Sequence, residues 1–336
     1  MIELVSNDDE WNSFIRHNAS NIFHTIEWRN SIVNTFGYKP YYLLSRDDGS
    51  IMGCFPMFCV NSFIFGKRFI SLPFAFSGDP IYKNTKVLRE MLVRSKEISK
   101  GSKYLEIRMR QKLPDDIAKD YGLNENLETK LSILELTNSD DAWDKMDKKH
   151  RNAIRKAEKD GLKVREGNEN DLRTYHSLKM KLSAKKYGIP SEPLCFYRNL
   201  WSLMYSKNMI KIFVAELEGK IIGGIILLMH KDEILYFSGA ANENYLHLKP
   251  YNLLVWEAIK YSCKNKYKYF NFGTSDNKGL LDFKESWGAK SVQIPVYSTI
   301  PSVKVSGYGT FIKIWKKLPT LITRLIGPFL VKQKGG

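Results

Sequence analysis

The sequence predicts an α/β fold whose plan is written twice, and three observations carry this. Segment 41–53 alternates apolar residues, turns at Asp48-Gly49 and alternates again, the mark of a β-hairpin. Segment 212–223 repeats that plan with its glycine in the same place, Gly219 answering Gly49 at an offset of 170 positions. The short strands Tyr104-Leu105-Glu106-Ile107-Arg108 and Tyr269-Phe270-Asn271-Phe272-Gly273 each follow a lysine-rich helix and stand 165 apart. Two pairs at nearly one period indicate a duplicated domain.

Each copy reads as helix, hairpin, further strand, helix, strand, with mixed sheets flanked by helices. In the first, 8–16 and 27–36 are helical, strands follow through residue 73, and the helix 85–99 precedes the strand 104–109. In the second, 140–160 is one long helix stopped by Gly161, and 169–186 is another. Strands follow at 210–218, 220–230 and 233–240, then the helix 252–265. The polar run Thr137-Asn138-Ser139-Asp140 marks the boundary. The expected division is 1–137, 138–303 and a tail 304–336. In that tail, apolar residues from Phe311 to Leu330 interleave with Lys313, Lys316, Lys317 and Arg324, interrupted by Pro319 and Gly327-Pro328. Such a basic amphipathic segment either closes over the fold or touches an anionic membrane at its periphery.

Composition narrows the function classes. With 336 residues, 43% of them hydrophobic and 26% charged, the chain has material for two ordinary domains. The longest apolar run, 221–229, is far short of a membrane span, and no signal-peptide pattern opens the chain, so a cytoplasmic setting is expected. Cys54, Cys59, Cys195 and Cys263 have no paired spacing and read as buried free thiols, with neither a metal site nor a disulfide framework expected. A net charge of +16 attracts anions: nucleic acid, phosphorylated substrates or lipid headgroups. A lysine-rich surface without any partner gives the same total.

Three stretches could carry chemistry. In 148–161, Lys148, Arg151, Arg155 and Lys159 share one helical stripe, and only Glu158 interrupts the charges between Lys148 and Lys159. The stripe is a solvated face or a seat for an anion. Residues 245–252 join a strand to a helix, so the amides near Lys249, Tyr251 and Asn252 sit at a helix N-terminus, where an anion or a developing oxyanion is favoured. The strand ending at Gly273 delivers Thr274, Ser275 and Asp276 to a sheet edge, where α/β folds gather their sites. Shortly afterwards stands Phe283-Lys284-Glu285-Ser286-Trp287-Gly288. Lys284 either offers its charge to a phosphate or oxyanion, or packs its stem between Phe283 and Trp287.

Together these motifs resemble the FemABX family of aminoacyltransferases and the wider FemAB-like acyltransferases of envelope and exopolysaccharide systems. The segments concerned are 148–161, Leu248-Lys249-Pro250, 269–273 and Phe283 to Gly288, joined in the first copy by Phe23 to Trp28 and Leu72-Pro73-Phe74. The resemblance implies two tandem GNAT-like domains, in agreement with the duplication. It implies transfer of an amino acid from aminoacyl-tRNA to an amine of a lipid- or nucleotide-linked peptidoglycan precursor. The family's phenylalanine-lysine pair falls on Phe283 and Lys284, with the lysine implicated in transfer. Arg29 is the nearest match to a basic residue some members use in the first domain. The long coiled-coil insertion of the staphylococcal-type members is absent, and the GNAT pyrophosphate loop is replaced by residues 247–252, which favours aminoacyl-tRNA over acyl-CoA as donor.

The expectation is thus an N-acyltransferase with no permanently bound cofactor and no metal, catalytic at Lys284 and Phe283. Substrates are expected at Lys249, Tyr251, Asn252, Gly273, Thr274, Ser275, Arg151, Arg155 and Arg29. Two alternatives stay open: an acyl-CoA-dependent enzyme of an exopolysaccharide or lipid-linked sugar pathway, and a non-catalytic basic RNA-binding protein.

Overall fold

The structure, a computed structural model, describes residues 1–301 and 308–335, apart from the side chains of Glu128 and Tyr308. The expected boundary at 303–304 lies outside the described residues. The chain forms two compact units, Met1–Thr129 with Gln293–Lys304 and Leu330–Gly336, and Lys130–Val292 with Val305–Phe329.

The first unit runs β1 (Ile2–Leu4), α1 (Asp8–His17), α2 (Ile26–Phe36), β2 (Lys39–Asp47), β3 (Ser50–Val60), β4 (Arg68–Ile70), β5 (Ile81–Tyr82), α3 (Thr85–Ile98), β6 (Leu105–Arg108), α4 (Asp115–Asp120) and the first half of β7 (Asn124–Glu135). Helix α2 starts where the Thr25 hydroxyl accepts from the Trp28 amide and stops at Gly37, whose φ of 70° is left-handed. The sheet order is β1-β2-β3-β4-β6, antiparallel except that β4 and β6 run parallel. Leu43, Phe55, Met57, Phe69, Met91 and Ile107 form its core.

The second unit takes up the rest of β7, then α5 (Ser139–Lys145), α6 (Lys148–Lys159), β8 (Lys163–Glu166), α7 (Asp171–Leu182), α8 (Leu194–Met204), β9 (Ile210–Leu217), β10 (Lys220–His230), β11 (Glu233–Ala241), α9 (Pro250–Lys264), β12 (Tyr269–Ser275), α10 (Lys278–Glu285) and the start of β13 (Lys290–Ser298). Helices α11 (Tyr308–Lys317) and α12 (Thr320–Lys334) follow. The order β7-β12-β11-β10-β9-β8 again has one parallel pair, β11 with β12. Ile154, Ile225, Leu254, Ile259, Phe270 and Trp287 belong to its core.

The duplication is visible down to the turns. Asp48 and Gly49 have φ of 45° and 76°, and Glu218 and Gly219 have 49° and 76°. Two positive φ values in a two-residue loop make the type I′ turn that suits the twist of a hairpin. Chain order, however, does not divide the strands. Residues 296–298 of β13 pair with β6 in the first unit, while 130–135 of β7 pair with β12 in the second. The compact units therefore differ from the linear division 1–137 and 138–303, because each sheet is closed by a strand that sequence order would give to the other.

Other expectations need correction. The helix expected over 140–160 is two helices: Met146 and Asp147 are extended, and Arg151 Nη1 turns back to the carbonyls of Trp143 and Met146 at the end of α5. The helix expected over 169–186 is regular only to Leu182, with a wider turn over Ser183–Tyr187. Pro319 separates α11 from α12, but Pro328 remains inside α12. The tail is shared between units. Lys185 Nζ donates to the carbonyls of Lys316 and Leu318 in the second, while Arg68 donates to those of Gln333 and Lys334 in the first. Helix ends leave carbonyls without intrahelical partners, and cations satisfy them here. The cysteines are not uniformly buried: Cys54 is, Cys59 and Cys263 are half-buried, and Cys195 is exposed.

Gly53 shows how tightly the first unit packs. A Cβ there would lie 2.7 Å from the Ile81 carbonyl oxygen and 2.8 Å from Val87 Cγ1. We expect Gly53→Ala to lower the stability of the protein by about 1–3 kcal/mol, as overpacking does, measured as a shift of the urea unfolding midpoint. An unchanged midpoint would contradict the close approach.

Candidate functional site in the second unit

Strands β11 and β12 pair only over Glu233–Leu235 and Tyr269–Asn271, although β11 continues to Ala241 and β12 to Ser275. Beyond that point the two parallel strands share no ladder. On its other edge β12 shifts register against β7 between Asn271 and Thr274, and Gly273 in the shift has φ 71°. A bulge of this kind leaves backbone groups outside the ladder, and buried carbonyls must find donors elsewhere.

Lys284 supplies them. Helix α10 begins where Asn277 Oδ1 accepts from the Leu280 amide, and one turn later Lys284 points back into the protein. Its side chain is 5% exposed, and Nζ donates to the carbonyl oxygens of Gly273 at 3.0 Å and Thr274 at 2.7 Å. Burial pulls its pKa down to about 8, partly opposed by the charge of Asp276. An ammonium has three donors, so one N–H remains beyond the two carbonyls. On the same strand, Asn271 Nδ2 and Ser275 Oγ are buried with no hydrogen-bond partner among the described residues. Such groups cost about 1–3 kcal/mol each when left unpaired and suit a polar ligand.

The space between Phe283 and Trp287 is taken by a different side chain than the lysine stem. His150 of α6 stacks on Trp287 with ring centroids 4.3 Å apart and meets Phe283 edge-on at 5.5 Å. Asn252 Nδ2, in the first turn of α9, donates to His150 Nδ1 at 2.7 Å. That leaves the ring proton on Nε2, which donates to Ser286 Oγ at 2.7 Å, and the serine hydroxyl donates to the Phe283 carbonyl. One buried imidazole therefore joins α6, α9 and α10. Burial lowers its pKa to about 4, with the charge of Lys149 acting in the same direction, so the ring is neutral at physiological pH. Gly288 closes the motif because a Cβ there would lie 2.9 Å from Lys145 Cβ, at φ 87°.

The structure thus brings Phe283, Lys284, Gly273, Thr274, Ser275 and Asn252 together. Lys249 caps α9 in a left-handed conformation, φ 60°, with an exposed side chain. The Asn252 amide is spent on the Lys249 carbonyl, and burial raises the Tyr251 hydroxyl far above its ordinary pKa. The other basic residues are held elsewhere. Arg155 lies over the Trp143 ring at 5.3 Å, and Arg151 binds the end of α5 as described. In the first unit, Arg29 forms a bidentate pair with Asp8 at 2.8 and 2.6 Å and lies over Tyr42. The charges of α6 are also less unanswered than expected, since Lys149 pairs with Asp147 and Lys156 with Asp160. His150 is the residue that sequence reasoning missed. Its spacing with Ile154 and Ala157 put it on the buried stripe of α6.

Comparison with known proteins bears on the fold. The acetyltransferase (GNAT) domain family matches residues 144–285. The chain is 26% identical over 172 residues to the UDP-N-acetylmuramoylpentapeptide-lysine N(6)-alanyltransferase of Weissella viridescens, over 48% of this chain and 49% of that one, or about half the relative's length. It is 20% identical over 336 positions to the lipid II:glycine glycyltransferase of Staphylococcus epidermidis, covering 70% and 80% of the two chains. The crystal structure of FemX superposes with a TM-score of 0.72 at 14% identity, over 90% of this chain and 97% of that one. The fold is two tandem GNAT-like units. Among the described residues, no three His, Cys, Asp or Glu side chains are grouped as metal ligands would be.

The neutral His150 makes stability pH-dependent. Its pKa is about 4 in the folded chain against an ordinary 6.5, so as pH falls the unfolded chain takes up the proton first. The stability tied to the neutral ring is complete above about 6.5 and is lost towards pH 4. We expect the urea midpoint to fall across that window and His150→Gln, which has no ionisation there, to flatten the decline. Equal slopes in both proteins would contradict this.

Proposed function

We propose that this chain, which belongs with the FemABX-like transferases, is an N-acyltransferase that moves an amino acid from aminoacyl-tRNA to an amine of a peptidoglycan-type precursor. The observation that carries the reading is Lys284. It is a buried ammonium, fixed by two carbonyls of the β12 bulge, with a donor to spare where β11 and β12 part. In the proposed step the acceptor amine attacks the ester carbonyl, the C–N bond forms, and the C–O bond to the ribose breaks. The amine's proton leaves with the ribose oxygen. Lys284 donates its remaining N–H to the tetrahedral oxyanion. Phe283 and Trp287 hold His150 and thereby set the position of α10.

The donor side is supported by charge: Lys148, Arg155 and Lys159 lie along α6, whose start is tied to α10 through the Asp147 amide and the Ser286 carbonyl. The acceptor side rests on the two relatives, whose names specify a nucleotide-linked pentapeptide and lipid II. Both donor and nucleotide-linked acceptors fit a cytoplasmic site of action. A second reading, with acyl-CoA as donor, is favoured by the acetyltransferase family match and by the unpaired strand ends.

The test is incubation with charged tRNA or with acyl-CoA and a set of amine acceptors, followed by mass spectrometry. Product from charged tRNA alone supports the first reading, and product from acyl-CoA alone replaces it with the second. Binding of RNA that weakens steeply with salt, without product from either donor, would replace both with a non-catalytic role. Lys284→Met is expected to lower kcat by about 100- to 1000-fold, the usual effect of losing one oxyanion donor, with tRNA binding little changed. Full activity in that variant would remove Lys284 from the mechanism.

A further inference from the structure

Helix α12 carries its amphipathic pattern inside out. Thr323 is 3% exposed and Gly327 is buried, whereas Leu321 is 68%, Leu325 71% and Phe329 52% exposed, flanked by the exposed Ile322 and Ile326. Residues 321, 325 and 329 follow one another at helical spacing, so the apolar side chains form a single outward stripe. A Cβ on Gly327 would lie in ordinary contact, 3.8 Å from both Pro190 Cβ and Trp315 Cζ2, so this face of α12 lies against buried Trp315 of α11. Helix α11 adds Ile314, 57% exposed, to the outward apolar set. Lys313, Lys316, Lys317 and Arg324 are exposed on the same two helices. Residues 308–336 contain six lysines and arginines and no aspartate or glutamate.

We infer that the outward face of α11 and α12 docks on an anionic lipid bilayer. Folded monomers seldom expose a contiguous row of large aliphatic side chains without a partner. An apolar stripe bordered by lysine and arginine matches the boundary between acyl chains and anionic headgroups. A second copy of this chain fits less well, because two faces without a single acid would bring like charges together. Nucleic acid would answer the charge but not the five apolar side chains of α12.

Helix α11 and residues 320–329 belong to the second unit, as the candidate site does. Helix α11 packs on residues 183–188: a Cβ on Gly188 would meet the Ile312 side chain and carbonyl at 2.7 Å, and Lys185 binds the end of the helix. A docked tail holds the second unit, and with it the candidate site, at the bilayer surface, which favours a lipid-linked precursor over a soluble one. This last step rests on the transfer reading; the docking itself does not.

The experiment is sedimentation of the full chain with vesicles of phosphatidylcholine alone and of phosphatidylcholine with phosphatidylglycerol. We expect binding to the mixed vesicles and about tenfold or weaker binding to neutral ones. The variant Leu321→Ser/Leu325→Ser/Phe329→Ser is expected to lose about tenfold or more of the binding, with its urea midpoint unchanged. It is also expected to retain transfer to a water-soluble acceptor, which separates a failure of docking from a failure of the transfer reading. Absence of binding to mixed vesicles, or wild-type binding by the variant, would overturn the inference. So would a change from dimer to monomer on substitution, seen by ultracentrifugation, since a second copy would then be the occupant.

Discussion

Two parallel strands that stop pairing after three residues create the need that the rest of the second unit answers. Past Leu235 and Asn271 the strands β11 and β12 share no ladder, and the register shift between Asn271 and Thr274 interrupts the pairing of β12 with β7 at Gly273. A carbonyl buried without a donor costs as much as a lost hydrogen bond. Lys284 removes that cost at two positions with one side chain, and in doing so places a cation where a GNAT-like sheet opens. Its structural and proposed chemical roles are the same contact seen from two sides, because a fixed ammonium is already oriented before any substrate arrives.

Holding Lys284 in place requires α10 to be held, and that falls to a neutral ring. His150 reaches from α6 to Asn252 on α9 and Ser286 beside α10, and the hydrogen bonds run in one direction from Asn252 through His150 and Ser286 to the Phe283 carbonyl. Stacking on Trp287 fixes the plane of the ring. A charged imidazole would have no acceptor at Nδ1, where the amide of Asn252 already donates, so burial and hydrogen bonding both favour the neutral form. The basic helix is thereby part of the site's frame through its one uncharged polar ring, whatever its exposed lysines bind.

What the sequence made legible was local. The type I′ turns at Asp48-Gly49 and Glu218-Gly219 are encoded by adjacent residues, and they exposed the duplication. The Phe283 to Gly288 segment was also legible as a unit, because its residues are consecutive, whereas the partners they meet, His150, Gly273 and Lys145, are distant in the chain. Non-local pairing was not. Nothing in residues 124–135 or 290–298 says that each strand joins the sheet of the other half, because strand patterns carry no address. The break between α5 and α6 carries no glycine or proline, and the return of Arg151 to the α5 carbonyls that fixes it cannot be read from periodicity. His150 was hidden because it stands among lysines and arginines in the sequence, and only its burial in the fold shows it to be neutral.

The central claim, that the lysine of α10 is a desolvated cation fixed on the carbonyls of the β12 bulge, can be measured without substrate. An NMR titration of the Lys284 side chain, assigned by comparison with Lys284→Met, reads its ionisation directly. A midpoint at about 8 is expected, set by burial at the bulge. A midpoint near the ordinary lysine value of about 10.4 would mean that the ammonium lies in water, and would contradict both the bulge contact and the oxyanion role built on it.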